Sequence, residues 1–182
     1  RKPKLEEAFL SAVIMGIVFV QNVTMLEVWG SMLQWLEQVT GTTNYAVTFS
    51  ITFAIALIIP VGMLSFTSWV ASKFNKVSLI ENFARFGYAI IALDMAGHIA
   101  HNLFHLLAEG KSIYYTAMGL FGVSFHGASA AILDMAAIQF LQFGLLALGF
   151  IGSLYVAYRI AKLNSDTDKV WGTFVPYAVL MV

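Results

Sequence analysis

From Tyr45 to Val70 the chain reads YAVTFSITFAIALIIPVGMLSFTSWV, without one charged side chain. A helix of about 20 predominantly apolar residues crosses the hydrocarbon layer of a bilayer. Backbone amides in that layer have no water to bond, and a single segment satisfies its own amides only as a helix. This run therefore narrows the fold to an all-α, polytopic transmembrane helix bundle before any other feature is considered.

Other stretches share the property. Spans are predicted over about 8–28, 45–70, 83–109 and 130–163, and a fifth begins at 170. It runs to 182, where PYAVLMV stops inside an apolar stretch. That ending, and Arg1 in place of an initiating Met, read as those of a fragment of a longer protein. The whole of 1–182 is taken as one transmembrane domain. The start, RKPKLEEAFL, has the basic residues of a signal peptide. Glu6 and Glu7 follow them, and no A-x-A pattern closes the long apolar run, so it reads as a retained span.

Composition agrees: 59% of residues are hydrophobic and 11% charged. The formal net charge of zero gives no electrostatic footprint for nucleic acid. The absence of cysteine excludes disulfides, zinc–thiolate sites and any cysteine-held iron–sulfur cluster within the chain.

Two connections are too apolar to be ordinary loops. WGSMLQWLEQVTGTTN, residues 29–44, is predicted to hold an interfacial helix over about 30–40, anchored by tryptophans and ended by Gly41. SIYYTAMGLFGVSFHGAS, residues 112–129, is predicted to hold another over about 112–125. Pro60 predicts a kink in the second span. Ser78 and Glu81 have capping-box spacing at the start of the third helix, and Gly110 is its expected stop.

Basic residues orient the bundle. Arg1, Lys2 and Lys4 precede span one, Lys73, Lys76 and Arg85 lie between spans two and three, and Arg159, Lys162 and Lys169 lie between spans four and five. The alternate connections hold only Lys111. The positive-inside rule then expects a cytoplasmic N-terminus in a bacterial or archaeal inner membrane.

The third span carries the chemistry. In DMAGHIAHNLFHLLAE, residues 94–109, Asp94, His98, His101, His105 and Glu109 fall within an arc of about 80° at ~100° per residue. Three of the chain's four histidines stand in this stripe. Ionisable groups in an apolar span are expensive and mark function more often than chance. With the N-terminus inside, the stripe runs from the membrane middle to the outer face. Neutral imidazoles one turn apart can hold a haem iron or a transition metal such as copper or iron. His98, His101 and His105 are accordingly the candidate cofactor ligands, and the same three with Asp94 the candidate metal set. Asp94, Glu109, His126 and Asp134 are candidates for orienting the ligands or carrying protons. A haem b with one His ligand, or a compact metal site, fits the spacing better than two haems, and a quinone is a further candidate. The plainer alternative is a polar seam bonded to a neighbouring helix.

Span four brings Asp134, Gln139 and Gln142. The two glutamines are expected to bond other helices, and Asp134 to be an N-terminal or interfacial charge. Gln21, Asn22 and Glu27 in span one either line the same cavity or belong to the outer interface. Ala92, Ala96 and Ala100, with Gly149 and Ser153, have the small-xxx-small spacing of close helix packing.

The stretch from Phe86 to Lys162 resembles part of the membrane-bound polyferredoxins. These include the quinol-dehydrogenase ferredoxin subunit of periplasmic nitrate reduction and the electron-donating membrane protein of nitrous oxide reduction. The residues concerned are LDMAGHIAHNLFHLLAEGKS (Leu93–Ser112), the following YTAMGLFG, and GSLYVAYRIAKL (Gly152–Leu163) ahead of PYAVL. They cover less than half of the chain, and the family's cysteine clusters are missing. The resemblance implies the membrane part of a redox assembly whose clusters lie elsewhere, with electron transfer linked to a quinone or haem. Lipid and other subunits, iron–sulfur or cytochrome chains, are the expected partners. The alternatives are a metal-ion or proton permease and a structural subunit of a larger membrane complex.

Overall fold

A computed structural model describes residues 3–24 and 26–181. Seven α-helices follow in order: α1 (Leu5–Val23), α2 (Glu27–Thr40), α3 (Tyr45–Asn75), α4 (Leu79–Phe86), α5 (Ile91–Gly119), α6 (Met135–Asn164) and α7 (Val170–Met181). A single 3-10 turn, Thr167–Lys169, precedes α7, and no strand occurs among the described residues. The all-α bundle expected from the apolar runs is the observed fold. Helices α1, α3 and α6 are long and apolar enough to cross a membrane, and α4 with α5 makes a fourth crossing if taken as one span bent by 43°. Met25 of span one, Val182 of span five, and Arg1 and Lys2 lie outside the described residues.

Helix α3 shows how a segment rich in Ser and Thr suits an apolar medium. Ser50, Thr52, Ser65 and Thr67 each donate their hydroxyl to the carbonyl one turn earlier, at 2.7–2.9 Å. Each polar side chain is thereby neutralised within its own helix. Pro60 lies inside the helix without ending it. It lacks the N–H that would meet the Ala56 carbonyl. That carbonyl faces Gly16 of α1, where an added Cβ would stand 3.0 Å from it.

The helices form a closed ring. α1 packs on α3 and α5, α5 on α6, α6 on α7, and α7 on α3, while the short α4 packs one face against α3, α1 and α6 and leaves Leu79 and Ile80 exposed. The main core lies where α4 enters. Phe86 and Tyr177 are both fully buried and stack at 3.6 Å between centroids, and the Tyr177 hydroxyl donates to Ser68 Oγ at 3.0 Å. Asn82, also fully buried, exchanges side-chain hydrogen bonds with Asn75. This end also gathers cations. Lys4 lies beside Tyr88, and Lys76 acts on Asp166 of the α6–α7 connection. Asp166 accepts from Lys169 Nζ at 2.8 Å, which, with the two lysine charges, holds its carboxyl below the usual carboxylate range.

Several boundaries differ from expectation. Span one ends at Val23 rather than 28. Asn22 Nδ2 and Thr24 Oγ1 bond the carbonyls of Val18 and Gln21 and close the last turn there. The third span is broken at Gly87–Ile90. Gly87 meets α1 so closely that a Cβ would stand 2.4 Å from that of Ala8, and Tyr88 turns out to bond Glu7. Gly110 does not stop α5, which continues to Gly119, so no separate helix covers 112–125. A returning segment docks on that glycine: Ile132 N donates to Leu107 O at 2.7 Å, and Lys111 N to Ala130 O at 3.0 Å. The fourth span begins at Met135 rather than 130, because Asp134 caps it by accepting from Ala137 N. Gly41, at φ 69°, ends α2 as expected, and Ser78 caps α4 by accepting from Glu81 N.

Candidate functional site

Helix α5 has two unlike sides. Its buried residues are Asp94, Ala96, Gly97 and Ala100. Ala92 and Ala96 take Gly149 of α6 at very close approach, and Gly97 lies against Val18 of α1. Two polar bonds tie α5 to α6: Leu93 N donates to Ser153 Oγ at 2.9 Å, and Gln142 Nε2 donates to Ala100 O at 3.1 Å. The small-residue spacing and the interhelical role of Gln142 are thus seen directly. Gln139 is exposed.

The charged stripe divides at its first member. Asp94 is buried, with 4% of its surface exposed, and accepts a hydrogen bond from Ser11 Oγ of α1 at 3.1 Å. Its other oxygen, Oδ1, is buried without a hydrogen-bond partner. The remaining members face outward. His98, His105 and Glu109 are exposed and His101 is half-buried. The His101 and His105 rings meet edge to face at 5.0 Å, and His105 Nδ1 lies 3.4 Å from Glu109 Oε2. Phe104 packs on His105 at 5.5 Å, and Asn102 Nδ2 covers the His98 carbonyl. The structure thus brings His101, His105 and Glu109 together on one surface and turns Asp94 toward α1. Among the described residues no three His, Asp or Glu side chains converge as a metal ligand set.

The other candidates lie apart. Asp134 is exposed and caps α6, and His126 is exposed in the 120–134 connection. Asn22 bonds its own helix, Glu27 is exposed at the start of α2, and the buried Gln21 Oε1 has no hydrogen-bond partner. A partly open hollow of about 360 Å³ is lined by apolar side chains, among them Met15, Phe19, Pro60, Met63 and Leu93, and by none of the imidazoles. Sequence reasoning missed Ser11. The available signal was a lone hydroxyl in the first half of span one, flanked at helical spacing by Ala8, Ala12 and Gly16.

Which ligand suits this surface follows from chemistry. With Nδ1 of His105 turned to Glu109, Nε2 is left as its outward nitrogen, the usual arrangement for an imidazole ligand held by a carboxylate. An axial haem ligand, or an acceptor for a quinol hydroxyl, needs one such nitrogen. A metal held by this chain alone needs several converging groups. No protein-family model, curated protein or solved structure matches the chain.

Proposed function

We propose that this chain is a membrane subunit of a redox assembly. In this reading the outward face of α5 forms one wall of a haem or quinone site, and a neighbouring subunit forms the other. One observation carries it: three imidazoles and a carboxylate stand on the outer surface of a helix in an apolar bundle. Facing lipid, such groups are expensive, and intramembrane polar residues ordinarily face protein, a cofactor or a water-filled cavity. His98, His101 and His105 would hold the group and Glu109 would orient His105. A bound haem or quinone would supply the electron-carrying chemistry. Electron transfer is suggested by the resemblance of Leu93–Ser112 and Gly152–Leu163 to polyferredoxin sequences. The basic end of the bundle is assigned to the cytoplasm of a bacterial or archaeal cell.

The test is an absorption spectrum with quinone extraction and elemental analysis of the assembly purified through this chain. Haem or quinone lost on replacing His98, His101 and His105 by Ala supports the proposal. An assembly with neither group in the unaltered protein refutes it. The outward placement of His98 and His105 is equally compatible with a second reading, a structural subunit whose imidazole face is buried against another chain. The same triple variant would then disrupt assembly without changing cofactor content.

A further inference from the structure

Helix α2 has three faces, and only one is used by the protein. Trp29, Leu33 and Leu36 are buried, spread over about 60° of the helix surface. Trp29 meets Phe49 of α3 edge to face at 5.7 Å and packs with Val20 of α1 and Ala56 of α3. A second face, also about 60° wide, holds Val28, Met32, Trp35 and Val39. All four are exposed, Trp35 by 60% and Val39 by 64%. The third face carries Glu27, Ser31, Gln34, Glu37 and Gln38. A surface helix of a soluble bundle needs one apolar stripe, and this one has two at right angles or nearly so.

We infer that the Val28–Met32–Trp35–Val39 face docks into the headgroup–acyl boundary of the bilayer, with the Glu and Gln face turned to water. Continuity identifies the occupant. Short connections tie α2 to the ends of α1 and α3, both long enough to cross a membrane, and the surface beside it is already apolar and exposed at Phe19, Tyr45, Val47 and Ile55. Tryptophan is the residue best suited to that boundary, having an apolar body and a polar N–H. The two tryptophans divide the work: Trp29 fastens α2 to the protein and Trp35 fastens it to lipid. Because α2 carries two glutamates and no Lys or Arg, its docking rests on apolar area. It accepts zwitterionic lipid and gains nothing from anionic headgroups.

The chain has no cysteine, so Val39→Cys and Gln38→Cys each create a single site for a spin label on adjacent residues of different faces. The full chain is placed in phosphatidylcholine nanodiscs, and then in discs containing phosphatidylglycerol. Collisions with oxygen should dominate at residue 39 and collisions with a water-soluble nickel chelate at residue 38, alike in both lipids. Wild type and Trp35→Phe are compared with lipids brominated near the glycerol. The unaltered protein should lose emission that the variant lacks. A label at 39 reached by the nickel chelate places the face in water and overturns the inference. A label at 39 shielded from both reagents means that protein covers the face and overturns it equally. Docking that appears only with phosphatidylglycerol overturns the argument from charge.

Discussion

Gly149→Ala tests the packing that presents α5. A Cβ at position 149 would stand 2.3 Å from that of Ala96 and 2.9 Å from the Ala92 carbonyl. Ordinary carbon contact begins near 3.5 Å, so α5 and α6 must separate locally by about 1 Å. The two polar bonds across the same seam, Leu93 N to Ser153 and Gln142 to Ala100 O, are 2.9 and 3.1 Å long and stretch out of bonding range with that movement. Overpacking of a tight contact costs about 1–3 kcal/mol and each lost hydrogen bond about 1 kcal/mol. The variant should therefore lose about 3–5 kcal/mol, read from reversible unfolding in mixed micelles. Ala96→Gly removes the methyl group in the way. Added to Gly149→Ala, it should recover part of the loss, because the 2.9 Å contact with the Ala92 carbonyl remains and a helical glycine costs about 1 kcal/mol. A single variant as stable as the parent, or a double variant no better than the single one, would refute close packing at this seam.

Ser11→Ala removes the one hydrogen-bond donor to buried Asp94 among the described residues and should cost about 1–3 kcal/mol in the same assay, whereas Ser11→Ala with Asp94→Leu leaves no stranded polar atom at this contact and should restore most of it. Glu109→Gln should change stability by less than about 1 kcal/mol, since its pair with His105 is exposed, yet lower the haem or quinone content of the assembly; unchanged content would remove Glu109 from the proposed site. The Asp166–Lys169 pair acts on stability through a depressed carboxyl pKa, so its contribution is present above the unfolded carboxylate value and is lost as pH falls through the folded one. The small gap in melting temperature between the parent and Asp166→Asn should accordingly close on acidification, and a widening gap would reverse the assignment.

Some of this architecture was legible because it depends on neighbours in sequence. Gly41 ends α2 and Ser78 starts α4 through local backbone geometry and a bond three residues long. The small residues of α5 and α6 announced a close seam because spacing alone puts them on one face. The break at Gly87–Ile90 was hidden, because its causes are Ala8 and Glu7, some 80 residues away. Gly110 misled for a related reason. Its missing side chain makes room for Ile132 rather than ending a helix. The charged stripe was visible as a stripe, but periodicity does not say which part of it meets another helix. Asp94 belongs to the α1 contact through Ser11, and the imidazoles do not.

The stack of Phe86 on Tyr177 also bears on how the chain is made. Ribosomes deliver α7 after every helix it touches, and until it arrives the aromatic face of α4 and the Ser68 hydroxyl have no cover. Tyr177 is in this sense a latch, which translation delivers only after α3 and α4, the helices it closes on.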